Sequence, residues 1–169
     1  MDKRKQGSGR ARRVATLGVL VSVAFVLSYI EAILPFTLGV PGIKLGLSHI
    51  VTVFALYRMR TWETVLVTLV RVALAALLFG SALSAIYSLV GAVVSLCVML
   101  LLRRLPVFSE VGVSAAGGVS HNVGQIVCAA ILMETAGLVW YLPVLLLAGC
   151  VCGVIVGCVA SVIIRRVKI

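Results

Sequence analysis

The sequence predicts an all-α integral membrane protein with six transmembrane helices. Three observations carry that prediction. Of 169 residues, 62% are hydrophobic and 12% are charged, against about 45–50% and about 25% in soluble domains. The mean hydropathy is +1.22, and the apolar residues fall in long runs. Basic residues, 15 against 5 acidic ones, gather between those runs. This composition excludes an ordinary soluble enzyme, a disordered chain and a disulfide scaffold.

A helix needs about 20 apolar residues to cross the hydrocarbon core. On that length the spans fall near 14–34, 43–57, 62–80, 82–102, 111–133 and 139–164. They form one transmembrane domain, 14–169, behind a basic tail at 1–13. The first apolar run is longer than the core of a signal peptide and no small-x-small cleavage site follows, so it reads as a retained anchor. The second is short. The segment before it, Pro35 to Gly42, carries two prolines and two glycines and reads as a surface or re-entrant stretch. The third carries Arg71 at mid-span. The fourth, fifth and sixth each carry small or polar residues at helical spacing.

Charge sets the orientation. Lys3, Arg4, Lys5, Arg10, Arg12 and Arg13 lie in the tail. Arg58 and Arg60, Arg103 and Arg104, and Arg165, Arg166 and Lys168 flank later spans. With six spans, all 13 of these fall on one side, and only Lys44 falls on the other. The positive-inside rule then places both termini in the cytoplasm of a multi-pass protein of the cell membrane. The net charge of +10 would suit a nucleic-acid surface. Here it marks span ends, so the lipid bilayer is the expected partner and nucleic acid is not.

Small residues repeat on three helices. Ala11, Ala15, Gly18 and Ser22 share one face of the first span. Ser84, Ser88, Gly91 and Ser95 repeat the pattern in the fourth, and Gly149, Gly153, Gly157 and Ser161 in the sixth. Small faces let helices approach closely in lipid. Internal packing accounts for the fourth and sixth. The first stripe begins among arginines at the cytoplasmic surface, where a partner subunit can dock. Cys97, Cys128, Cys150, Cys152 and Cys158 lie in apolar spans without CxxC or Cys/His metal spacing, and read as small packing residues.

Ionisable groups at membrane depth are costly and usually functional. Arg71 is too far from either end to snorkel easily, so it should face the bundle interior and meet an anion. His121 and Gln125 share a face of the fifth span, with Asn122 beside them. Glu31 lies near the outer end of the first span, and Lys44 and His49 at the outer end of the second. Two readings compete. Arg71 pairs with Glu31 as a structural bridge, or these groups line an outward-facing cavity whose excess of cationic side chains suits an anionic or electron-rich solute. Trp140 and Tyr141 read as interfacial anchors.

Catalysis is disfavoured. Magnesium-assisted prenyl or phosphoryl transfer needs clustered carboxylates. The lone aspartate is Asp2, and no two acidic residues stand at i, i+3 or i, i+4. No GxxxxGK[ST] loop is present. Ser120 and His121 are neighbours on different helical faces, with no carboxylate to orient the histidine. No catalytic residue, metal or cofactor is therefore expected.

At these residues a resemblance appears. Val40-Pro-Gly-Ile-Lys-Leu-Gly-Leu47, Leu69-Val-Arg-Val72, Phe79-Gly80-Ser81 and Ser120-His-Asn-Val-Gly-Gln125 resemble the Gx transporter family, which also carries the name heptaprenyl diphosphate synthase component I. An asparagine often stands in that pattern where this chain has His49. The family is similar to the S components of energy-coupling-factor transporters. Those six-helix membrane proteins capture vitamins and dock on a transmembrane coupling subunit driven by two cytoplasmic ATPases. The resemblance implies an S-component-like bundle, with Ala11, Ala15, Gly18 and Ser22 as the docking face. It implies ligand contacts from Lys44, Arg71, His121, Asn122 and Gln125, with Glu31 and His49 nearby. The expected function is capture of a small anionic, vitamin-like or isoprenoid-like solute. The alternative is a membrane component of heptaprenyl diphosphate synthase that supports a soluble catalytic partner.

Overall fold

A computed structural model describes residues 3–33, 46–79 and 82–167. Six α-helices follow one another: α1 (Lys3–Ile33), α2 (His49–Arg58), α3 (Thr61–Phe79), α4 (Ala82–Leu102), α5 (Glu110–Leu132) and α6 (Leu142–Arg166). A 3-10 turn, Ala136–Tyr141, precedes the last. Among the described residues there is no strand. Lys44, the Pro35–Gly42 segment and the Gly80-Ser81 turn lie outside the described residues.

Among the described residues, five helices are long and apolar enough to cross a membrane: Ala11–Ile33, Thr61–Leu78, Ala82–Leu102, Glu110–Leu132 and Gly137–Arg166. Helices α3 to α6 begin and end within a few residues of the last four apolar runs. The first helix runs further than its apolar stretch, because it starts at Lys3. Lysine and arginine are good helix formers, so hydropathy marks where lipid begins and not where the helix does.

The second helix differs from expectation. It has ten residues, so at 1.5 Å per residue it is about 15 Å long, half the hydrocarbon core. Its middle, Val51 to Leu56, is buried throughout. Protein, not lipid, surrounds this half-length helix. Phe54 and Leu56 join Met99 of α4, Val113 of α5 and Val156 of α6 in the main core. Two arginines close its far end. Arg103 donates to the Leu56 carbonyl in the last turn of α2. Arg58 donates through Nε and Nη2 to the Ile164 carbonyl in the last turn of α6, the Nε bond being 3.1 Å. Cationic donors at helix C-termini satisfy orphan carbonyls and oppose the helix dipole. These two residues are therefore caps as well as markers of span ends.

Glycine sets the spacing of α5 and α6. A Cβ on Gly149 would lie 2.8 Å from the Gly118 carbonyl oxygen, one on Gly153 2.7 Å from Ala115 Cα, and one on Gly157 2.8 Å from Val111 Cα. Each clash is with backbone, which cannot move aside. The fourth-helix stripe divides its work. Gly91 packs on α5 and the Ser95 hydroxyl donates to the Gly117 carbonyl at 2.8 Å, while Ser84 and Ser88 face a cavity. Packing therefore explains only half of that stripe. Cys97, Cys150 and Cys158 are exposed on the helix surfaces, so they do not pack the interior as the sequence suggested.

Candidate functional site

One cavity of about 200 Å3 opens among all six helices and the turn before α2. Glu31 reaches it from α1, His49 from the start of α2, Arg71 from α3, and His121, Asn122 and Gln125 from α5. The six described residues singled out from the sequence as ligand contacts thus line one cavity, although they are spread over 95 positions of chain. Helical spacing explains the α5 set: His121 and Gln125 lie one turn apart on the face toward α4.

The local geometry begins at Gly46, whose φ is +71°, a conformation that favours glycine. That turn lets the Gly46 carbonyl accept from the His49 N–H at 2.8 Å, opening the helix. The Gly46 N–H donates to Glu31 Oε1, and Arg71 Nη1 donates to Ser48 Oγ. Glu31 and Arg71 thus have different hydrogen-bond partners, both in the turn before α2. The Glu31 carboxylate still acts on Arg71 through space.

Two of these lining residues carry an unsatisfied polar atom. Arg71 Nε and His49 Nε2 are buried without a hydrogen-bond partner. Buried polar groups are normally paired, and each exception requires a cause. Asn122 Nδ2 is committed to the Leu145 carbonyl at 2.6 Å, clasping α5 to α6. Gln125 Nε2 donates to Ser88 Oγ at 3.3 Å, clasping α5 to α4. Ser120 Oγ bonds back to the Ala116 carbonyl at 2.7 Å and takes no part in the cavity.

The sequence missed Ser28, Ser48, Ser84, Ser88 and Cys152, which complete the polar lining. Ser84 and Ser88 carried a signal, since they sit one turn apart, but small residues read equally well as packing. The docking-face residues Ala11, Ala15, Gly18 and Ser22 are all exposed. Among the described residues, no group of three or more His, Cys, Asp or Glu is placed to hold a metal ion.

An all-helical membrane bundle around a polar-lined cavity is the class of protein that this fold and site define. A family model described as heptaprenyl diphosphate synthase component I matches residues 20–163, and the chain belongs to that family. No curated protein and no solved structure gives a match.

Proposed function

We propose that the chain is the solute-capturing membrane subunit of a transporter, working in the manner of an energy-coupling-factor S component. The observation that carries this reading is the cavity itself. Arg71 and His49 both line it, each carries a buried nitrogen without a hydrogen-bond partner, and Asn122 and Gln125 border it. An anionic group bound there would pair with Arg71 where low dielectric strengthens the contact. His121, with Asn122 and Gln125, orients the remainder, and Lys44 contributes from the segment ahead of Gly46. Ligand pockets usually hold about 300–1,000 Å3. A cavity of about 200 Å3 suits a small solute or a compact head group and is too small for a long isoprenoid chain.

Assembly follows from α1. Only 6% of its span is buried, against 39% for the last helix. Its small-residue face is the proposed seat of a transmembrane coupling subunit, itself driven by cytoplasmic ATPases. The tail, the turn after α2 and the ends of α4 and α6 carry 13 of the 15 basic residues, which supports cytoplasmic termini in the cell membrane.

The second reading is favoured by the family name. The chain then serves as component I of a heptaprenyl diphosphate synthase and supports a soluble catalytic partner. Purification from native membranes separates the two. The transporter reading expects a retained small solute and a membrane coupling subunit with ATPases. The synthase reading expects a soluble prenyl transferase and activity in extracts that depends on this chain.

A further inference from the structure

A second pocket, of about 450 Å3, lies at the opposite end of α2 from the cavity. Its wall draws Arg12 and Arg13 from α1, Arg58 from the end of α2, and Arg60 and Glu63 from the start of α3. Four arginines and one glutamate therefore line it. Arg58 is engaged at the Ile164 carbonyl. The side chains of Arg12, Arg13 and Arg60 are exposed. Glu63 is 97% buried, the complement of its 3% exposure. Its Oε2 accepts from the Arg60 N–H at 2.9 Å, half of a capping box that opens α3. The other oxygen, Oε1, is buried without a hydrogen-bond partner, and one carboxylate offsets one of the four positive charges, so the mouth keeps a positive excess.

The depth of the pocket is informative. The apolar spans of α1 and α3 begin at Ala11 and Thr61, so these guanidinium groups stand where hydrocarbon gives way to head groups. Trp62, 55% exposed, sits between Arg60 and Glu63, and tryptophan favours that interface. Exposed Val19, Val23 and Val26 continue down α1 as an apolar surface beneath Arg12. A guanidinium fork matches phosphate oxygens in pairs.

We propose that this pocket seats the phosphodiester of an anionic membrane phospholipid, held by Arg12, Arg13 and Arg60, with acyl chains lying against α1. The proposal is independent of the cavity and of its solute. Its test is native mass spectrometry of the full chain released from nanodiscs containing equal amounts of phosphatidylglycerol and phosphatidylcholine. The expected result is retained phosphatidylglycerol in preference to phosphatidylcholine. An R12Q/R13Q/R60Q variant with an unchanged melting temperature should lose at least about tenfold of that preference, since each basic residue near a membrane surface is worth roughly a fivefold change. If that variant fails to fold, Arg12→Gln and Arg13→Gln tested singly should each lose roughly two- to fivefold. Equal retention of both lipids, or a preference unmoved by the variants, overturns the proposal. So does displacement of the lipid by millimolar inorganic phosphate, which would mark a site for the free anion.

Discussion

The first and last helices carry the same motif and put it to opposite uses. In α6, Gly149, Gly153 and Gly157 lie against the backbone of α5, where an added Cβ would meet carbonyl and Cα atoms at 2.7–2.8 Å. In α1, a Cβ on Gly18 would meet nothing within 4 Å, and Ala11, Ala15 and Ser22 are exposed. One stripe is consumed in making the bundle and the other is left outside it. A small-residue stripe therefore reports that close approach is permitted. It does not report which surface approaches.

Substitutions can break this comparison, and the largest effect is expected in α6. Gly153→Leu must push aside the Ala115 backbone. Overpacking a well-filled core costs about 1–3 kcal/mol and occasionally more, and here rigid backbone takes the strain, so loss of monodisperse protein on size-exclusion chromatography is the expected outcome. The same change at Gly18 should leave the melting temperature in detergent nearly unmoved, as surface substitutions usually fall within about 0.5 kcal/mol. Gly18→Leu with Ala15→Leu should nevertheless abolish co-purification of the proposed coupling subunit while retention of the proposed solute persists. A destabilised double variant, or one that still assembles, would show that the two stripes do not differ as described.

Smaller effects sharpen the contrast between the buried half-helix and its longer neighbours. Arg103→Ala removes the donor at the Leu56 carbonyl. Hydrogen bonds to charged groups contribute about 1.5–3 kcal/mol, so a lowered melting temperature and faster amide exchange in α2 are expected, with exchange in α1 unchanged. Asn122→Ala breaks the bond to the Leu145 carbonyl and should cost about 0.5–1.5 kcal/mol, read as a smaller fall in the melting temperature. Gly46→Ala places a side chain at a φ of +71°, which disfavours non-glycine residues by about 1 kcal/mol. Its expected signature is weaker solute retention with little change in global stability.

Much of this fold was legible because lipid imposes a length. The third to sixth spans emerged from apolar runs with boundaries close to those observed. The second did not, since a helix buried in protein need not reach across the bilayer, and hydropathy alone does not distinguish burial in protein from burial in lipid. In the cavity, Arg71, His49, His121, Asn122, Gln125 and Glu31 were legible because polar groups stand out in an apolar span. Ser84, Ser88 and Cys152 were not, because small side chains serve packing and lining alike. Arg58 and Arg103 were read as topology signals, and their second role as helix caps depends on carbonyls 106 and 47 residues away in the chain.

Arg71 is the proposed anion-binding group of the cavity. Native mass spectrometry of the chain released from its own membranes, beside an Arg71→Ala variant of equal melting temperature, tests that role most directly. A small anionic molecule retained by the unmodified chain and absent from the variant is the predicted result. A variant that retains the same molecule at the same occupancy would contradict it.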